Sequence, residues 1–232
     1  MNAIILGTGA DELGFNGYEK KLGSNHYGEY EYYQKDGIVI IPRHKMGHSV
    51  APHLINYRAN IHALKDLEVK NVVSIYAVGS ISNKLLPSEF GIISDHVDFT
   101  HSRINTLFDG TFYPLDHVNA ENQFSEKLKS CALALNKEIK RDLIYVTTQG
   151  PRLETKAEIR MFNSLGFDCV GMTLSTEADL INELEINNLA IAYSINMAAG
   201  LARSGLEFIG KEKELSVAKK VFELALEVLN NV

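Results

Sequence analysis

Short apolar and β-branched runs recur along the chain, separated by longer stretches in which apolar residues repeat at helical spacing. The short runs predict strands over 3–7, 37–42, 72–79, 91–98, 143–150, 168–173 and 189–196. Several of these runs are apolar throughout, which is typical of a mostly parallel sheet covered on both faces. The helical spacing predicts helices over 55–67, 124–139, 156–166, 176–186 and 210–231. Alternating strands and helices predict an α/β fold, and we expect one domain over residues 1–232.

The stretch 99–120, FTHSRINTLFDGTFYPLDHVNA, has aromatic residues and histidines but weak periodicity. We expect a long loop near the carboxyl ends of the strands. Long loops in compact domains are more often functional than idle.

Composition and charge narrow the kind of partner. The 232 residues have a formal net charge of −6, so no general attraction to nucleic acid or an acidic membrane is expected, and an anion site must be local. Cys131 and Cys169 lie in apolar contexts without a C-x-x-C pattern, which indicates reduced thiols and a cytoplasmic location. Apolar runs are too short for a signal peptide or membrane helix, so we expect a soluble protein.

A glycine loop follows the first predicted strand at Gly7-Thr8-Gly9. Such a loop can direct backbone N–H groups and a hydroxyl at an anion. It is not a dinucleotide-binding fingerprint, because position 12 is Glu12 instead of glycine. A simple turn remains an alternative interpretation.

Positive charge is concentrated after the second predicted strand, where Arg43-His44 is followed by His48 and His53. An arginine fork with an adjacent histidine suits a phosphate. Zinc is a competing interpretation, although no acidic or cysteine residue accompanies the histidines. A third interpretation is a solvated basic loop that binds no ligand.

Further candidates lie at the ends of later predicted strands. Small residues at 77–80 leave room for a ligand against the backbone, where open α/β sheets bind ligands, although close strand–helix packing also explains them. Glu154 can accept hydrogen bonds from a heterocyclic base or can serve a helix dipole. Segments 171–173 and 194–196 are expected to reach the same crevice.

Taken together, these motifs resemble those of the trimeric purine nucleoside phosphorylase and methylthioadenosine phosphorylase family. The resemblance rests on IILGTG, PRHKMGHSVAPHLINYRANI, YAVGS, GPRLETKAEIR and the segment from VGMT to TEADL, in that order over nearly the whole chain. It implies a three-layer fold with a mixed, partly barrel-like sheet. It implies phosphorolysis of a purine nucleoside to free base and ribose 1-phosphate, without metal or cofactor, by a trimer or a dimer of trimers.

The resemblance also implies roles for individual residues. Phosphate contacts are expected from Thr8, Arg43, His44, Ala77 and Thr173. Ribose and base contacts are expected from Met172, Leu153, Glu154, Tyr57, Val78 and Gly79, with His53 facing a neighbouring subunit. His48 is expected to order its loop, and His62 to lie on the helix behind it.

The sequence departs from the family at the residue that supports the leaving base. The family's aspartate or asparagine matches Ala199 or Gly200, so Asn196 is expected to take that role. Glu154 favours a 6-oxopurine, and the pattern resembles the S-methyl-5′-thioinosine phosphorylase and 6-oxopurine nucleoside phosphorylase branch. In the 6-oxopurine nucleoside enzymes a histidine on the last helix contacts the ribose 5′ end, but no histidine follows His117 in this chain. Leu215 and Val217 are therefore candidates for an alkylthio pocket at that end.

Two alternatives to phosphorolysis stay open. A hydrolytic nucleosidase of the same superfold would have no need of the Arg43-His44 cluster. A non-catalytic nucleoside-binding protein would explain the missing residue at 199 or 200. Fold alone does not decide among them, because function lies in the site.

Overall fold

A computed structural model of the protein describes residues 1–9, 13–202 and 205–232. Within these ranges nine strands form one sheet in the order β2-β3-β4-β1-β5-β8-β7-β6-β9. The strands are β1 (Asn2–Leu6), β2 (Glu19–Asn25), β3 (Gly28–Lys35), β4 (Ile38–Pro42), β5 (Asn71–Ser80), β6 (Phe90–Asp98), β7 (Lys140–Thr147), β8 (Cys169–Gly171) and β9 (Asn187–Met197). β5 also pairs with β9, so β5, β8, β7, β6 and β9 close into a ring. The sheet is therefore mixed and partly barrel-like, as expected.

Five α-helices are present in the described ranges: α1 (Tyr57–Asp66), α2 (Glu126–Leu135), α3 (Lys156–Ser164), α4 (Leu174–Glu183) and α5 (Lys211–Asn230). Capping side chains set three of the starts. Asn56 accepts from the Ala59 amide and Ser125 from the Leu128 amide, while Thr155 begins α3 with a capping box. Apolar periodicity alone placed the first two of these starts two residues too early, because it does not register the cap.

The β2–β3 hairpin was missed by the sequence analysis. Its strands pair in antiparallel fashion and carry many charged and partly exposed residues. β3 joins β4 at the end of the sheet. Strands with a solvated face do not produce the continuous apolar runs by which the central strands are recognised.

The central strand β1 is covered on both faces. Ile4 and Leu6 pack in the core formed with α2 and α5, whereas Ala3 and Ile5 pack in the core formed with α1 and α4. Successive side chains of a strand point to opposite faces, so a fully apolar strand requires a helix layer on each side. This confirms the expected three-layer arrangement.

The sheet divides at the middle of β5. On one side β5 pairs with β1 only as far as Ile75 and with β8 only from Gly79, while β9 runs along its other side throughout. Residues 76–78 therefore have no strand partner on the divided side. Open α/β sheets bind ligands at such points of divergence.

Among the described residues, none of the helices has the length and apolar character required to span a membrane. The thiols of Cys131, half-buried, and Cys169, buried, are unpaired.

Candidate active site

A cavity of about 880 Å³, open mouth included, lies at the division of the sheet. It is bounded by the ends of β1, β5, β8 and β9 and by the loop that follows β7. Eleven residues expected in the site line it: Thr8, Arg43, His44, Ala77, Val78, Gly79, Leu153, Glu154, Met172, Thr173 and Asn196. Residues that are up to 188 positions apart in sequence thus meet in one place.

The Arg43 guanidinium is almost completely buried and is held by Glu177. Nε donates to Glu177 Oε1 at 2.7 Å and Nη2 to Oε2 at 2.8 Å, while Nη1 donates to the Ile75 carbonyl at 3.0 Å. Burial by itself lowers the pKa of Arg43, but the charge and hydrogen bonds of Glu177, together with the nearby Tyr76 and Tyr57, outweigh it, so the pKa lies above its ordinary value. Among the described residues, two of the five guanidinium N–H groups have no hydrogen-bond partner and remain for a ligand.

Sequence reasoning did not identify Glu177, although a signal was present. Leu174, Ala178 and Ile181 form the buried stripe of α4, and Glu177 lies within that stripe at 1% exposure. A carboxylate on an apolar helix face needs a buried partner. Tyr76 supplies a further hydrogen bond, since its hydroxyl donates to Glu177 Oε2 at 2.9 Å and its ring lies 4.4 Å from the Arg43 guanidinium carbon.

His44 lies beside Arg43 with a defined ring orientation. Its Nδ1 is 2.7 Å from the Val50 carbonyl oxygen, and the His48 ring stacks on it at 4.2 Å between centroids. Burial, followed by the charge of Arg43, lowers the pKa of His44 to about 4. The ring is therefore neutral at pH 7.

Position 7, in the first glycine loop, has no room for a side chain. A Cβ placed there would lie 2.8 Å from Arg43 Nη1 and 3.3 Å from His44 Nε2. The missing side chain lets both groups approach the start of the Thr8 loop. Thr173, one helical turn before Glu177, is the N-cap residue of α4 and makes no side-chain capping hydrogen bond. A helix N-terminus favours a negatively charged ligand.

The loop after β7 also lines the cavity, through Leu153 and Glu154. Glu154 accepts a hydrogen bond from Thr148 Oγ1 at 2.6 Å, and Leu153 is exposed at the mouth. Gly150 has a φ of +60°, and a Cβ there would clash with the sulfur of Met172. The loop therefore packs directly against the methionine expected beneath the ribose.

Asn196 follows a β-bulge in β9. Val78 pairs with Ser194 but Gly79 pairs with Asn196, so Ile195 is the extra residue. A bulge redirects the side chains that follow it. The Asn196 side-chain amide donates to the Met197 carbonyl at 2.8 Å, which leaves its second N–H and its carbonyl oxygen. Ala199 also lines the cavity, as expected from the family position, without a polar side chain.

Arg103, in the loop after β6, was also missed. Its Nη1 donates to the Met172 carbonyl and its Nη2 to the Gln149 carbonyl, each at 2.6 Å. The Tyr57 hydroxyl is 3.3 Å from Nη1. Arg103 therefore ties the expected functional loop to the ends of β7 and β8, and only the folded chain reveals this, since its targets are backbone atoms.

Two expected site residues lie outside the cavity. Tyr57 is buried behind it, where its hydroxyl donates to the Pro52 carbonyl at 2.7 Å, and Pro52 is the residue that lines the cavity. His53 is exposed, and its place at a subunit interface stays a prediction. His62 lies on α1 as expected, with Nε2 3.0 Å from the Tyr113 hydroxyl.

Of the two residues expected at an alkylthio pocket, Leu215 lines a cavity and Val217 does not. Val217 is buried in the main core, because the helix turns that side chain toward the sheet. Leu215 lines a separate cavity of about 470 Å³ that shares Thr8 with the main one. Leu206 and Phe208, from the segment before α5, form part of the apolar wall of the main cavity and were not foreseen.

Comparison with known proteins agrees with this site. The family model described as "Phosphorylase superfamily" matches residues 3–230. The chain belongs to the phosphorylase superfamily. A probable S-methyl-5′-thioinosine phosphorylase of Methanothermobacter thermautotrophicus is 39% identical, over 89% of this chain and 75% of the relative. A 6-oxopurine nucleoside phosphorylase of Pyrococcus furiosus is 34% identical, over 86% of this chain and 80% of the relative. The resemblance found in the sequence is confirmed.

Solved structures of the superfamily confirm the fold. Methylthioadenosine phosphorylase from Schistosoma mansoni in complex with tubercidin has a TM-score of 0.88 at 24% identity, covering 98% of this chain and 89% of that one. The same enzyme in its apo form has a TM-score of 0.85 at 25% identity, covering 98% and 89%.

Within the described ranges of this superfamily member, no group of three or more histidine, cysteine or acidic residues is placed to hold a metal ion. The histidines considered for zinc are engaged differently: His44 with Val50 and His48, and His53 with solvent.

Proposed function

We propose that this protein catalyses phosphorolysis of purine nucleosides, with S-methyl-5′-thioinosine or other 6-oxopurine nucleosides as substrates and methylthioadenosine as a further candidate. The observation that carries the proposal is the buried Arg43–Glu177 pair, which holds two N–H donors toward the cavity beside Thr8 and His44. A buried, preorganised cation at one end of a mostly apolar cavity suits an inorganic anion beneath an uncharged ligand. Relatives with names of this kind are similar over most of the chain.

The proposed reaction transfers a pentosyl group to phosphate. As the bond from C1′ to N9 breaks, positive charge develops on the ribose and negative charge on the purine. A phosphate held by Arg43 is then both the electrostatic partner and the nucleophile. Met172, which also lines the cavity, is assigned to the ribose.

Glu154 and Asn196 are assigned to the base. One Glu154 oxygen is occupied by Thr148, so the carboxylate has a fixed orientation and a second oxygen for N1–H of a 6-oxopurine. The free N–H of Asn196 is assigned to N7, where negative charge accumulates as the base leaves. An adenine base has no hydrogen on N1, which is why 6-oxopurines are preferred in the proposal.

The decisive experiment measures release of free base from S-methyl-5′-thioinosine, inosine and methylthioadenosine, with and without phosphate. We expect release to depend on phosphate and to be lost in Arg43→Ala. Equal release without phosphate, retained in Arg43→Ala, would establish a hydrolytic nucleosidase. Binding by calorimetry without product after long incubation would establish a nucleoside-binding protein.

The proposal includes phosphate as co-substrate and no other cofactor. It also includes a trimer or a dimer of trimers and a cytoplasmic location, for which the two unpaired thiols are the supporting observation. Light scattering would test the assembly.

A further inference from the structure

The position of one hydrogen on His44 is determined by its partner. Nδ1 lies 2.7 Å from the Val50 carbonyl oxygen. A carbonyl oxygen can only accept, so Nδ1 is the protonated nitrogen. A neutral imidazole has a single N–H, and Nε2 then presents a lone pair.

The surroundings of His44 oppose a second proton. His44 is 7% exposed. Among the described residues, the groups that face it are Arg43 from the same segment, His48 stacked on it from the following turn, and the backbone of Gly7. The nearby carboxylate of Glu177 is fully engaged by Arg43 and Tyr76. Burial and the Arg43 charge accordingly hold the pKa of His44 near 4, well below neutral pH.

His44 Nε2 and Arg43 Nη1 both approach Gly7, and both residues line the same cavity. Both lie about one contact distance from the point that a Gly7 Cβ would occupy, at 3.3 Å and 2.8 Å. Nε2 makes no hydrogen bond with any residue in the part of the chain that the structure describes. An oxyanion lying in the cavity beside these two nitrogens would therefore meet two kinds of group: N–H donors from Arg43 and a lone pair from His44.

We propose that His44 Nε2 accepts a hydrogen bond from the P–OH group of hydrogen phosphate, so that this subsite selects tetrahedral oxyanions that still carry a proton. The inference rests on the proposed function and specifies which form of phosphate the site takes. Arsenate has the required hydroxyl at neutral pH. Sulfate has the same shape and charge but no proton, so one of its oxygens would face the Nε2 lone pair.

Competition between anions tests the proposal in the unmodified protein. Phosphate and arsenate should support base release with KM values within about threefold of each other, whereas sulfate should inhibit about 10- to 100-fold more weakly, the factor that one unmade hydrogen bond to a charged group represents. Sulfate binding should strengthen relative to phosphate as the pH falls from about 6 to about 4, because His44 gains its second proton over this range and becomes a donor. Equal affinity for sulfate and phosphate across this range would overturn the inference.

A matched pair of variants adds a second test. In His44→Gln the side-chain amide can rotate to donate, so the preference for phosphate over sulfate should fall about tenfold. In His62→Gln, a histidine on α1 outside the cavity, the preference should stay as in the unmodified protein. An unchanged preference in His44→Gln would contradict the inference. Base release that needs no phosphate at all would instead contradict the proposed function, so the two failures are distinguishable.

Discussion

Replacement of Glu177 by glutamine would test how much the burial of the Arg43–Glu177 pair matters. The two side chains are 2% and 1% exposed and are joined by hydrogen bonds of 2.7 and 2.8 Å. Glu177→Gln keeps the shape but removes the negative charge, and it turns an N–H₂ group toward either Arg43 or Tyr76. Loss of one partner of a buried ion pair costs about 3–5 kcal/mol, because the other charge stays buried and uncompensated.

The chain contains a matched control. Arg152 and Glu158 form a second two-point pair, at 2.9 and 2.7 Å, but their side chains are 66% and 32% exposed. Glu158 also closes the capping box of α3, a role that glutamine can fill. Exposed pairs contribute about 0–1 kcal/mol, so Glu158→Gln should have a correspondingly small effect.

Urea unfolding followed by circular dichroism measures the difference. Glu177→Gln should lower the free energy of unfolding by about 3–5 kcal/mol and the melting temperature by on the order of 10 °C, against about 2 °C for Glu158→Gln. Added phosphate should restore part of the loss in Glu177→Gln, because the bound anion supplies the missing negative charge. Similar losses in both variants would refute the reasoning from burial.

Three further predictions concern the base, the loop and pH. Glu154→Gln should lower kcat/KM for inosine about 10- to 100-fold and change methylthioadenosine turnover less than about threefold, since only the 6-oxopurine donates to the carboxylate; parallel losses would contradict its role at N1. Arg103→Gln should raise the nucleoside KM about tenfold and leave the phosphate KM within about twofold, because the Met172 and Gln149 carbonyls lose their donor. Arg103→Lys, which retains the charge, should have an intermediate nucleoside KM. Equal changes in both KM values would indicate a general loss of structure instead. The pKa of His44 is about 4 in the folded protein against an ordinary value of 6.5, so the unfolded chain binds more protons between these values and stability should fall as pH drops through them. Urea midpoints of the unmodified protein should therefore decline more steeply over this range than those of His44→Asn, and identical slopes would contradict the lowered pKa.

The central strands and all five described helices could be predicted from the sequence because they obey simple periodicities. β1 is apolar from Ala3 to Leu6 since both of its faces are covered, and the capping residues Thr155 and Glu158 mark the start of α3. The β2–β3 hairpin was not predicted, because its charged residues lie on a solvated edge of the sheet and interrupt any apolar run. Continuous apolar runs identify strands buried on both faces, whereas a half-exposed strand must be recognised by alternation of apolar and polar residues.

Much of the site could also be located from the sequence. The residue types at positions 8, 43, 44, 154 and 196 indicate an anion site and polar contacts to a base, and their place after predicted strands puts them at one edge of a sheet. The resemblance to a known family supplied their roles. What the sequence by itself determined was therefore the set of side chains and the approximate place where they gather.

Only the tertiary structure decided how those side chains are held and oriented. Glu177 pairs with Arg43 across 134 positions, and Arg103 binds carbonyl groups that have no signature in the sequence. The hydrogen on His44 is assigned by the Val50 carbonyl, and the direction of Val217 by the turn of a helix. These features depend on distances between backbone atoms and on the low dielectric of a closed core, and both exist only once the chain has folded.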